Sequence, residues 1–123
     1  MATKIAIIED DQAISQMYRI KFEAEGYEVE TAENGKIGFE LAKDMHPDLI
    51  LLDLMMPEMN GDECLTKIRK EPWGKDVKVI ILTNMGEQEA PSILQTLNVL
   101  TFIVKANMTP RQVAQLAKKY LED

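Results

Sequence analysis

Five short runs of apolar residues punctuate the chain: KIAIIE at 4–9, YEVET at 27–31, DLILLD at 48–53, VKVIIL at 77–82 and TFIV at 101–104. Their length and their β-branched and aromatic content read as β-strands. Between them, apolar positions recur at helical spacing. Ile14, Met17, Tyr18, Lys21 and Phe22 share one face of a first helix, with Lys21 burying only its aliphatic stem. Ile37, Leu41, Ala42 and Met45 mark a second, opened by Asn34 as N-cap. Leu65 and Ile68 mark a third, and Ile93, Leu94 and Leu97 a fourth, with Pro91 near its first turn. The last helix has the clearest start signal: Thr109, Pro110 and Gln112 form an N-cap, an N1 proline and a capping box. Val113, Leu116, Ala117 and Tyr120 form its inner face.

Strands alternating with helices imply βαβ units and a parallel sheet. The first, third and fourth runs are almost continuously apolar, as strands covered on both faces must be. The second alternates Tyr27, Val29 and Thr31 with Glu28 and Glu30, so one of its faces meets water and it belongs at an edge. The short fifth run suits the opposite edge. A doubly wound α/β sheet of order 2-1-3-4-5, with helices on both faces and right-handed crossovers, satisfies these constraints. Ligands of such sheets bind at the carboxyl ends of the strands where the winding reverses, here between strands 1 and 3.

Composition narrows the class further. At 123 residues, the length suits one domain over residues 1–123; 46% of residues are hydrophobic and 28% charged, as in a globular protein. A net charge of −7 disfavours nucleic acid and anionic membrane, and favours basic partners or metal cations. The single cysteine, Cys64, cannot form an internal disulfide, which is compatible with a reducing compartment. No apolar run reaches a membrane-spanning length, and MATKIAIIEDD meets acid too early for a signal peptide, so a cytoplasmic location is expected.

The strand ends carry the candidate chemistry. Strand 1 ends in Glu9-Asp10-Asp11, strand 3 in Asp53, strand 4 in Thr83, and Lys105 follows strand 5. In a parallel sheet these ends open on one edge, so carboxylates, a hydroxyl and an ammonium converge. Any one of them has a plainer role: the acids as a helix cap, Thr83 as a strand-end residue, Lys105 as a solvated charge. Their joint occurrence favours a site. Clustered carboxylates repel and either hold a proton or bind a cation. Oxygen ligands with no His/Cys set suit Mg²⁺ rather than zinc. An aspartate beside such a metal, with a lysine and a hydroxyl near, is a candidate phosphoryl acceptor.

These motifs resemble a known family. IAIIEDD (5–11), HPDLILLDLMMPEMNG (46–61), VKVIILT (77–83) and FIVK (102–105) together look like a response-regulator receiver domain, the CheY-like phosphoacceptor of two-component signalling, over essentially the whole chain. The resemblance implies a flavodoxin-like (βα)5 fold and a phosphorylation-dependent switch. It implies that Asp53 is phosphorylated, that Asp10 ligates Mg²⁺ directly (with Mn²⁺ as a substitute), that Glu9 acts through the metal's water, and that the Met55 carbonyl is a further ligand. Thr83 and Lys105 would contact the phosphoryl group, with Phe102 as the switch aromatic. The donor would be a phosphohistidine on a sensor kinase or phosphotransfer protein, and the output would pass through the helix 4–strand 5–helix 5 face. The expected chain is a receiver with no output domain, no nucleic-acid or membrane partner, and a monomeric or weakly dimeric state.

Three positions depart from the family pattern. Ala106 stands where a cis-proline commonly follows the lysine; a cis non-proline bond costs about 2.5–4 kcal/mol, so a trans bond is expected. Asn84 replaces a usually small residue after the threonine and, with Met55, is expected to modulate access to Asp53. QTLNVLTFIVK lacks the usual glycine and acids before strand 5, and Val99 or Leu100 could make that face adhesive. His46 reads as a helix-end residue, Cys64 as semi-buried filler and Trp73 as a turn residue. Two other readings are a receiver-like interaction module acting without phosphorylation and an aspartyl phosphatase. The second is disfavoured because Met55 stands where such enzymes carry a second acid.

Overall fold

The computed structural model describes residues 2–122; Met1 and Asp123, the two ends of the expected domain, lie outside the described residues. Five strands, β1 (Lys4–Ile8), β2 (Glu28–Ala32), β3 (Leu49–Leu52), β4 (Lys78–Thr83) and β5 (Thr101–Val104), form one parallel sheet of order β2-β1-β3-β4-β5. Every neighbouring pair is parallel, with Ile7 opposite Thr31 and Leu51, and Leu51 opposite Ile80. The order and both edge assignments agree with the sequence expectation.

Alternation along the inner strands builds two cores. Ile5, Ile7, Leu49, Leu51, Ile80 and Leu82 pack with α1 (Gln12–Ala24) and α4 (Pro110–Glu122). Ala6, Ile8, Ile50, Leu52, Val79 and Ile81 pack with α2 (Gly35–Met45) and α3 (Gly61–Arg69). The caps form as expected. Asp11 accepts from the Ile14 N–H at 3.1 Å and Asn34 from the Ile37 N–H at 2.8 Å. The Thr109 N–H donates to Gln112 at 2.9 Å, and the Gln112 N–H to Thr109 at 3.2 Å. None of the described helices is long and apolar enough to cross a membrane.

The fourth predicted helix is not an α-helix. Residues between β4 and β5 form 3-10 turns at Glu87–Glu89 and Ser92–Thr96, and the predicted fifth helix is therefore α4. Pro91 precedes the second turn and Asn98 closes it in the left-handed region at φ 57°, leaving too few residues for stable α-helical turns. In a 3-10 run, positions three apart align, so Leu94 and Leu97 are buried together while Ile93 turns outward. Two other residues expected on inner faces, Met17 and Ile37, are 45% and 44% exposed.

Candidate functional site

Parallel strands end together, and here their ends hold the polar residues. Glu9, Asp10, Asp53, Thr83 and Lys105 line one cleft of about 240 Å³. Ile14 of α1, Met55 and Asn84 complete its rim with Asp11. Asp53, 6% exposed, is held on both oxygens. Its Oδ1 accepts from the Leu54 N–H at 2.7 Å and the Met55 N–H at 3.4 Å, and its Oδ2 pairs with Lys105 Nζ at 3.1 Å. Lys105 Nζ also contacts Glu9 Oε1, while Glu9 Oε2 accepts from the Asp11 N–H at 3.1 Å. Thr83 is fully buried, and its Oγ1 accepts from the Met85 N–H at 3.3 Å.

The loop after β3 is shaped to hold Asp53. Gly61 donates its N–H to the Leu54 carbonyl at 2.9 Å, and its bare Cα lets α3 begin directly against the Asp53 backbone. The Asn60 N–H donates to Glu63 at 3.3 Å, fixing the first turn of α3.

Electrostatics follow from burial. Removal from water pushes the Glu9 carboxyl up to about 7, against the opposing pull of Lys105 and the Asp11 N–H. Burial also works against the Lys105 ammonium, but Glu9 and Asp53 together outweigh it and raise Lys105. The two partners thus move the same way for different reasons. The proton in their contact belongs to the ammonium, because an amine outcompetes a carboxyl even at that raised value.

The three acids fit a divalent cation. One carboxylate oxygen from each of Glu9, Asp10 and Asp53 lies within 4.8 Å of the others, two at the buried floor and Asp10 exposed at the mouth. All-oxygen donors open to water are the set preferred by Mg²⁺ and Mn²⁺. A larger groove of about 590 Å³ runs along α4 past Met108 and Leu116, but among the described residues no carboxylate cluster converges there.

Comparison with known proteins decides the family. The family model described as "Response regulator receiver domain" matches residues 5–118. The chain belongs to the response regulator receiver domain family. This receiver domain is 33% identical over 116 residues to the phosphate regulon transcriptional regulatory protein PhoB of Rhizobium meliloti, covering 94% of the chain and 51% of PhoB. It is 40% identical over 84 residues to the DNA-binding dual master transcriptional regulator RpaA of Synechocystis, covering 68% of the chain and 35% of RpaA. The chain thus spans about half, or less, of the curated relatives' length. Among solved structures, a CheY-like receiver domain of Methanospirillum hungatei superposes with a TM-score of 0.90 at 29% identity, covering 99% of this chain and 95% of that one. Chemotaxis response regulator CheY4 of Vibrio cholerae gives 0.87 at 25% identity, covering 97% and 98%.

Within the receiver domain, the predicted residues Glu9, Asp10, Asp53, Met55, Thr83, Asn84 and Lys105 share the cleft. Phe102 does not. It lies half-buried on β5 against the core beneath α2 and α3. No cis peptide bond occurs among the described residues, so Lys105-Ala106 is trans, as expected, and Lys105 still reaches Asp53. His46 caps α2 in the left-handed region at φ 50° and meets Trp73 edge-on at 5.9 Å. Cys64 is wholly buried, more than expected, and burial pushes its thiol up to about 12. Sequence reasoning missed the two N–H groups that orient Asp53, because backbone donors leave no residue signature. It also missed Ile14 as a rim residue, having assigned it only to a helix face.

Proposed function

We propose that this receiver domain is a phosphorylation-dependent switch in which Asp53 accepts a phosphoryl group from a phosphohistidine on a sensor kinase or phosphotransfer protein. The observation that carries the reading is the arrangement around Asp53. One oxygen is fixed by two backbone N–H groups and the other faces Lys105, within an all-oxygen acidic cluster. In the transfer, an Asp53 carboxylate oxygen forms a bond to phosphorus while the P–N bond to the donor imidazole breaks. The imidazole leaves with the electron pair and takes up a proton.

Glu9, Asp10 and Asp53, with the Met55 carbonyl, would hold Mg²⁺, which when bound supplies positive charge to the transferring phosphoryl oxygens. Lys105 neutralises a further phosphoryl charge, and the Thr83 hydroxyl donates to a phosphoryl oxygen. Met55 and Asn84 stand at the rim and set how readily donor and hydrolytic water enter. Thr83 and Phe102 then carry the change to the face formed by the Ser92–Thr96 turn, β5 and α4. The family consists of signalling modules rather than turnover enzymes, and the missing second acid at Met55 fits slow self-dephosphorylation. DNA-binding and transcriptional roles in the relatives' names stay with those proteins.

The test is incubation with Mg²⁺ and acetyl phosphate, comparing wild type with Asp53→Asn by intact mass. One Asp53-dependent phosphate per chain supports the switch. No labelling with any donor would replace it with an interaction module acting without phosphorylation, and multiple turnovers of donor would replace it with a phosphatase.

A further inference from the structure

A second cleft, of about 250 Å³, shares Glu9 as a wall with the acidic cleft but includes neither Asp53 nor Lys105. It is lined by Gln12 and Ser15 of α1, Thr31 of β2, Glu33 in the turn that follows, and Ile37 of α2. The fold brings these residues together. The Glu9 N–H donates to the Ala32 carbonyl at 2.9 Å, which extends the β1–β2 pairing by one step and sets the end of β2 beside Glu9. Gln12 and Ser15, three residues apart, share one face of α1. Thr31 shares a face of β2 with Val29, which packs into the core under α1.

One buried polar group in this cleft has nothing to bond. Ser15 is 4% exposed, and its N–H is used within the helix, on the Asp11 carbonyl at 2.9 Å. Among the described residues its hydroxyl makes no hydrogen bond. No fully buried side-chain nitrogen or oxygen among those residues lacks a partner, so the small exposure of Ser15 falls on its hydroxyl, which opens into the cleft. The Thr31 hydroxyl is likewise uncommitted among the described residues. Gln12 Nε2 donates to Glu33 Oε2 at 3.4 Å, so the Gln12 amide oxygen and Glu33 Oε1 stay open. Glu9 is already engaged, with Oε1 on Lys105 and Oε2 on the Asp11 N–H.

The free groups are two hydroxyls, an amide oxygen and a carboxylate, with no cationic side chain among the lining residues. All of them accept hydrogen bonds, and two carboxylates in the walls oppose an anion. A protonated amine has three donors and no acceptor, which matches such a set. A guanidinium is a flat fork suited to one planar partner, whereas these acceptors come from three separate elements. Ile37, 44% exposed at the rim, offers an apolar surface for the methylenes behind an ammonium head.

We propose that the cleft between α1, β2 and α2 binds a primary alkylammonium group, held by Glu33 and by the Ser15 and Thr31 hydroxyls. The site is separate from the acidic cluster at Asp53 and does not rest on the switch reading. The group belongs either to a free polyamine or to the lysine side chain of a protein partner.

Amide shifts of the metal-free full chain, titrated with n-butylammonium chloride against a matched NaCl control, test the site. Saturable shifts should centre on Gln12, Ser15, Thr31, Glu33 and Ile37. Glu33→Gln should weaken binding about tenfold and Ser15→Ala about threefold. Neither change threatens the fold, since Glu33 is exposed and alanine favours the helix. Tetramethylammonium, which has the charge but no N–H, should produce no saturable shift. Equal response to tetramethylammonium, shifts centred instead on Asp10 and Asp53, or unchanged affinity in both variants would overturn the proposal. Spermidine and N-acetyl-lysine amide then separate the two sources: tighter binding of spermidine assigns the site to a free polyamine, and tighter binding of the lysine amide to a protein partner.

Discussion

Substituting Gly61 by alanine tests whether the loop behind Asp53 sets that residue's position. A Cβ at Gly61 would stand 2.1 Å from the Asp53 carbonyl oxygen, and 2.9 Å from both the Asp53 carbonyl carbon and Leu54 Cα. All three obstacles are backbone atoms, so no side-chain rotation relieves them. Reaching ordinary van der Waals separation requires the start of α3 and the end of β3 to part by about 1 Å. That movement also stretches the 2.9 Å bond from the Gly61 N–H to the Leu54 carbonyl. Overpacking of this kind costs about 1–3 kcal/mol, and the weakened hydrogen bond about 1 kcal/mol more. Gly61→Ala should therefore lose roughly 2–4 kcal/mol in urea unfolding, read as a lower midpoint at unchanged slope. The same displacement moves the Asp53 carboxylate relative to Lys105. Its labelling by acetyl phosphate, measured where both proteins remain folded, should slow by about 10²-fold. Stability within about 0.5 kcal/mol of wild type would refute the steric reasoning. A destabilised variant that labels at the wild-type rate would show that the contact supports the fold but does not set Asp53.

Three further outcomes follow from the same geometry. Without metal, Glu9 in the folded chain holds its proton up to about 7, against an ordinary 4.5. The stability this group contributes is therefore complete below 4.5 and lost as pH rises through about 7. Glu9→Gln should lack that decline, so the stability gap between the proteins should change by about 1–3 kcal/mol across the window; a gap constant with pH in EDTA would contradict this. Lys105→Met removes the cation that sits 3.1 Å from Asp53 Oδ2, so Mn²⁺ should bind about tenfold tighter by calorimetry, and weaker binding would argue against a shared acidic site. Thr109→Ala deletes the cap of α4 and should lower unfolding stability by about 1 kcal/mol, with no effect on Asp53 labelling.

How legible each feature was depended on what recorded it in the chain. The strand order followed from side-chain burial demands: β1, β3 and β4 are apolar on both faces, whereas Glu28 and Glu30 leave β2 only an edge position. The site followed from topology, because polar residues directly after apolar runs are brought together by parallel strand ends. The fourth crossover was ambiguous, since apolar residues at 93, 94 and 97 suit an α-turn and a 3-10 turn alike. Pro91 and the left-handed Asn98 decided between them. On α1, the expected inner face was slightly rotated: Ser15, Tyr18 and Phe22 are buried, and Met17 is turned outward. The side chain of Arg69 donates to the carbonyls of Gly74, Lys75, Val77, Leu97 and Asn98, a network invisible in the sequence because every residue carries a carbonyl.

The charge balance at the cleft follows from the fold. Three carboxylates, Glu9, Asp10 and Asp53, stand against one ammonium, Lys105, so the local sum is −3 + 1 = −2. Two of those carboxylates are buried, where excess charge is costly. The backbone N–H groups of Leu54, Met55 and Asp11 offset part of that cost, while burial still pushes the Glu9 carboxyl up. A proton on Glu9 is one way to lower the surplus, and a divalent cation cancels it in full. A strand that ends in Asp53 thus brings to the cleft a surplus of negative charge that a doubly charged ion could cancel. Any substitution that neutralises one acid should gain stability in the metal-free chain and lose affinity for that ion.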